Sequence, residues 1–69
     1  MRIKLIRAEG GWGYYALPSS PDNPYRPIEV VVRAGDRLYR LETWAYYEDG
    51  AWAIALPLNA EEVELIYLR

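Results

Sequence analysis

The 69-residue sequence contains no cysteine, histidine, phenylalanine or glutamine, and only one methionine and two asparagines. Without cysteine no disulfide forms, and without cysteine or histidine a zinc site built from thiolate or imidazole is excluded. This weighs heavily in so short a chain. Domains of this size bury only about 60% of their unfolded surface, and they commonly rely on a disulfide, a metal or a partner chain. Stability here has to come from packing, strand-to-strand hydrogen bonds and self-association. The commonest general base and the most reactive nucleophile are also missing. Ser19 and Ser20 sit among prolines with no base in sequence reach. Glu48 with Asp49, and Glu61 and Glu62 with Glu64, are paired carboxylates in predicted turns rather than in a cleft that would shift their pKa values. Their spacing is not that of a calcium loop. The run Glu9-Gly10-Gly11-Trp12-Gly13 lacks the lysine and following helix of a phosphate loop and reads as a hairpin turn. The sequence therefore predicts a protein that is not an enzyme, with no catalytic residue, metal or cofactor.

No apolar run approaches the ~18–20 residues that span a bilayer. The segment Met1-Arg2-Ile3-Lys4-Leu5-Ile6-Arg7 alternates charged with apolar residues, where a signal peptide needs an unbroken apolar stretch. The expectation is a cytoplasmic protein with no membrane partner. Depletion of labile residues is a thermophile pattern, and in a chain this short chance gives the same pattern.

What the chain does have is aromatic surface: three tryptophans and seven tyrosines. Both side chains carry a polar tip that suits half-buried faces and interfaces. Period-two alternation dominates, and no stretch has a convincing helical period. Strands are predicted over 1–7, 12–17, 28–33, 37–47, 51–58 and 63–68. Paired glycines at 10–11, Ala34-Gly35-Asp36 and Glu48-Asp49-Gly50 turn the chain. The last is the strongest hairpin signal, because Asp-Gly fits a type I′ turn. Prolines at 18, 21, 24 and 27 make 18–27 a loop, and 59–62 a turn or single helical turn. Trp52, Ile54 and Leu56 share parity and are expected in the core, with Ala51, Ala53 and Ala55 on the other face. The fold class is all-β: residues 1–69 form one small domain, a five- or six-stranded meander rolled into a barrel.

From Glu29 onward the order resembles the Src-homology-3 barrel. Ala34-Gly35-Asp36-Arg37-Leu38 resembles that family's turn into its third strand, and Asp49-Gly50-Ala51-Trp52 its distal hairpin with the following Trp pair. Residues 59–68 resemble its short helical turn and final strand. The resemblance covers about 40 residues and implies an SH3-like fold rather than a function. Trp52 matches the second, structural Trp of the pair, and Ala51 stands at the groove position. The family's proline-rich-peptide binding is therefore not carried over.

Net charge is −2, unevenly spread. Residues 1–40 hold seven basic and four acidic side chains, and residues 41–69 one basic and six acidic. A basic face for an anionic partner, or head-to-tail self-contact, would follow from that asymmetry. The candidate binding residues are Trp12, Tyr14, Tyr25, Arg33, Arg37, Tyr39 and Arg40, where aromatic and basic side chains interleave. Trp44 and Tyr46 fall on one strand face and Ala45 and Tyr47 on the other, so some aromatic surface must stay outside the core. Enrichment in Tyr, Trp and Arg points to a non-catalytic binding or assembly module working through protein–protein contacts, with a second copy in a homodimer among the candidate partners. A compact phage or virus effector fits the size and composition, and nothing in the sequence selects it. The alternative is a single-stranded nucleic-acid binder, in which aromatics beside arginines stack bases. The acidic composition argues against that alternative.

Overall fold

The structure, a computed structural model, describes residues 1–21 and 26–69. Among the described residues seven strands form: β1 (Arg2–Glu9), β2 (Trp12–Ala16), β3 (Ile28–Ala34), β4 (Arg37–Thr43), β5 (Ala45–Glu48), β6 (Ala51–Leu56) and β7 (Glu62–Leu68). They build one antiparallel sheet in the order β4-β3-β7-β1-β2-β6-β5. Among the described residues no helix is long and apolar enough to cross a membrane.

β1 is the strand about which the sheet bends. Residues 2–4 pair with β7, and Leu5 and residues 7–9 pair with β2, with the register slipping between Leu5 and Arg7. The extra residue, Ile6, makes a bulge, and a bulge bends its strand and increases its twist. The result is two half-sheets that share β1: β4-β3-β7-β1 and β1-β2-β6-β5. Their inner faces supply a single core. Ile3, Ile28, Val30, Val32 and Val63 come from the first half, and Tyr15, Ala45, Ile54 and Leu56 from the second.

The all-β expectation holds, but the five- or six-stranded meander barrel does not. The strand expected over 37–47 breaks at Trp44. Thr43 and Ala45 on either side are both buried, while Trp44 is 47% exposed. The chain crosses there from one half-sheet to the other, and β4 and β5 end as opposite edges of the sheet. These edges are not joined by a ladder, so the sheet is not closed into a barrel. The order is not a meander either, because β7 inserts between β3 and β1. Residues 57–61 form an irregular connection without a helical turn. In the expected loop at 18–27, Pro18 to Pro21 and Arg26-Pro27 lie outside any strand, and residues 22–25 lie outside the described residues.

Three hairpins tighten the fold, each with a two-residue turn. At the third, Asp49 and Gly50 both have positive φ (50° and 81°). That is the type I′ geometry an Asp-Gly pair favours, and its twist matches the flanking strands. Gly13 serves a different purpose. A β-carbon there would fall on the carbonyl oxygen of Leu58 and sit 2.8 Å from Tyr15 Cε1 and 2.9 Å from Leu5 Cδ1. β2 thus packs tightly under the irregular connection because residue 13 has no side chain.

Ile54 and Leu56 are fully buried, as their parity predicts, whereas Trp52 is only half-buried at the rim of the core. On the opposite face of β6, Ala53 is 0% and Ala55 7% exposed. Their burial depends on their cross-strand neighbours, and it leads to the face described next.

Candidate binding face

The two half-sheets present chemically different outer faces. On β4-β3-β7-β1, the side chains that alternate away from the core are mostly charged and paired. Arg40 meets Glu29 at 3.4 Å, Arg2 meets Glu62 at 3.0 Å, and Arg33 meets Glu64. Exposed pairs of this kind contribute little stability each, but they balance the charge of this face, which also exposes Leu38 opposite Arg33. Ion pairs on both half-sheets also link the two unequally charged parts of the sequence. Arg2–Glu62, Arg33–Glu64 and Arg7–Glu48 each join the basic first 40 residues to the acidic remainder.

On β1-β2-β6-β5 the outer face is aromatic over alanine. Tyr14 stands opposite Ala55, and Tyr46 opposite Ala53. The two tyrosine rings meet edge to face at 6.3 Å and 64°, so large side chains on the flanking strands shelter the small ones on β6. The Arg7 guanidinium lies 3.9 Å over the Tyr14 ring centroid. It also pairs with Glu9 at 2.8 Å and Glu48 at 3.2 Å. Desolvation acts to lower the Arg7 pKa, but Glu48 and Glu9 outweigh it and hold the group above its ordinary value. Arg7, Tyr14, Tyr46, Tyr47 and Glu48 line a shallow concavity of about 350 Å³.

A second concavity, of about 510 Å³, lies at the β5 edge and is lined by Ala45, Tyr46, Tyr47 and Trp52. Tyr47 and Trp52 are directly opposite across β5 and β6, with rings edge to face at 5.4 Å. Trp44, Tyr46 and Tyr47 are 47%, 45% and 66% exposed. Three large aromatics thus lie exposed within four residues, and two of them, Tyr46 and Tyr47, line both depressions.

Of the seven residues singled out from the sequence, Tyr14 belongs to this face, and Trp12 shares its side of β2 by alternation and is 45% exposed. The other described residues do not form one patch. Arg33 and Arg40 project from the outer face of the first half-sheet into their ion pairs. Arg37 and Tyr39 alternate to the core side, where Tyr39 pairs with Val32 and packs half-buried against the core. Tyr25 lies outside the described residues. Arg7, Trp44, Tyr46, Tyr47 and Glu48 were not singled out as binding residues. The sequence signal for the aromatics was the run at 44–47, which carries aromatic side chains of both parities and so cannot bury them all.

Tyr15, beside Tyr14, is fully buried, and its hydroxyl donates to the Ala60 carbonyl at 2.7 Å. Burial pushes its phenol pKa up. It anchors the core under the site and does not reach the surface. No protein-family model, curated protein or solved structure matches the chain.

Proposed function

We propose that this chain is a non-catalytic binding or assembly module that holds a protein partner on the outer face and β5 edge of the β1-β2-β6-β5 half-sheet. One observation carries the reading: Tyr46 and Tyr47 stand exposed where they line both concavities, with Trp44 exposed two residues before them, while the opposite half-sheet is laced with ion pairs. Rigid aromatics with polar tips are the side chains that dominate the energetics of protein interfaces. Contiguous apolar surface of this kind marks a contact site.

The test uses two double variants. Tyr46→Ala with Tyr47→Ala removes the aromatic edge, and Arg33→Ala with Arg40→Ala removes the charged face. A protein captured from host extract by the wild type is purified and its Kd measured against all three chains. Truncating hot-spot aromatics costs about 2 kcal/mol or more, roughly thirtyfold in Kd. The aromatic variant should show that loss and the arginine variant should not. The reverse pattern would overturn the reading.

A further inference from the structure

We infer that the β5 edge pairs with β5 of a second copy, about a two-fold axis centred on Tyr46. This rests on the binding face proposed above and names its occupant. Among the described residues β4 and β5 are the two edges of the sheet, and they are defended differently. An exposed edge invites strand addition unless charged side chains, proline or bulges blunt it. β4 carries Arg37, Arg40 and Glu42 along seven residues. β5 reads Ala45-Tyr46-Tyr47-Glu48, with no lysine and no proline, and its one charge is already neutralised by Arg7 at 3.2 Å.

The sequence of β5 is complementary to itself in one register. In an antiparallel pair with Tyr46 opposite Tyr46 of the second copy, Ala45 faces Tyr47 of the second copy and Trp44 faces its Glu48. Small then stands opposite large, so each Tyr47 enters the concavity that Ala45, Tyr46, Tyr47 and Trp52 line. No two carboxylates are opposed. Centring on Tyr47 instead would set Asp49 against Ala45 and Glu48 against Tyr46, bringing charge onto the apolar groove. A two-fold axis normal to the sheet keeps the parity of both strands, so the outer aromatic faces become continuous. The contact is isologous and closes at two copies rather than propagating. It also supplies the partner chain that a small core unable to form a disulfide commonly needs.

The absence of cysteine makes the register directly readable. Opposite residues in an antiparallel pair have Cβ atoms about 4.5–5.5 Å apart, close to disulfide distance. Tyr46→Cys should therefore cross-link to a covalent dimer under mild oxidation. Trp44→Cys, displaced from its own copy by four residues, should not. Sedimentation equilibrium should show a wild-type dimer. Tyr46→Lys, which opposes two ammonium groups at the axis, should weaken it by about tenfold or more, with unchanged far-ultraviolet circular dichroism confirming the fold. A wild type that stays monomeric at about 300 μM, well above the dissociation constants of functional dimers, would overturn the inference. So would cross-linking that is as fast at position 44 as at 46. Those results leave the protein-binding reading standing, since that reading is tested by the affinity of a purified partner for the aromatic and arginine variants and not by the state of association of the chain.

Discussion

The Thr43 hydroxyl donates a 2.7 Å hydrogen bond to the carbonyl oxygen of Ala55 in the protein interior. The pairing of β5 with β6 begins only at Ala45 and Ile54, so Ala55 lies one residue beyond the end of that ladder. The side chain of Thr43 takes the place of a backbone donor where β4 departs and β5 begins, and allows the chain to turn at Trp44 without leaving a buried acceptor unpaired.

Thr43→Val keeps the shape and removes the donor. Leaving a buried carbonyl unsatisfied costs about 1–3 kcal/mol, and the urea midpoint should fall accordingly with an unchanged slope. A midpoint equal to wild type would show that the break at Trp44 is held by packing alone.

The break at Trp44 also marks where sequence reading stops. Alternation of apolar residues gave most of the strands, and it gave the inward face correctly at Ile54 and Leu56, with Trp52 only at the rim of the core, because a buried face imposes period two. Asp49-Gly50 placed its turn because few residues adopt that geometry. Alternation carries no information about which strand lies beside which. The insertion of β7 between β3 and β1 was therefore invisible, as were the Arg2–Glu62 and Arg33–Glu64 pairs it creates. The break itself was hidden because Thr43, Trp44 and Ala45 continue the strand pattern without a Gly or Pro to interrupt it. For the same reason Arg33, Arg37, Tyr39 and Arg40 looked like one cluster. They are close along the chain, but parity sends Arg37 and Tyr39 to one side of the sheet and Arg33 and Arg40 to the other.

Tyr15 gives the fold a pH dependence of definite sign. Burial raises its phenol above the ordinary value of 10.0, so the folded state holds this proton more tightly than the unfolded chain. The contribution is fully present below about pH 10 and is lost as pH rises from the unfolded pKa through the folded one. At neutral pH Tyr15→Phe should cost about 1 kcal/mol through the lost bond to Ala60. As the pH is raised past about 10, the wild type loses stability that the Phe variant lacks the group to lose, and the two denaturation midpoints should converge. A constant difference across that range would contradict the burial of the hydroxyl.

Gly13→Ala should be among the most damaging single-methyl additions. The added carbon meets Tyr15 and Leu5, which have some freedom, and the Leu58 carbonyl oxygen, which belongs to the backbone. Overpacking typically costs about 1–3 kcal/mol, and a backbone obstacle places this case at the upper end or beyond. Thermal denaturation of the purified variant measures it. A melting temperature within error of wild type would mean that residues 57–61 move aside freely.

The final prediction concerns nucleic acid. Binding single strands through phosphates releases counterions, and affinity then falls with salt at a log–log slope of about −0.7 per phosphate neutralised. Three arginines at 33, 37 and 40 acting together would give a slope near −2 on that rule. Arg33 and Arg40 are held by Glu64 and Glu29, so each would have to exchange an existing carboxylate for the phosphate and leave an unpaired negative charge beside it. Arg37 and Tyr39 alternate to the other side of the sheet, so a strand following one face would meet only part of the set. With the net charge at −2, the long-range field adds no attraction. The expected result is no measurable binding of labelled single-stranded DNA or RNA even at low salt, for the wild type and the Arg33→Ala, Arg37→Ala, Arg40→Ala triple variant alike. Binding that steepens with falling salt and disappears in the triple variant would reinstate a basic interface and displace the aromatic face as the functional site.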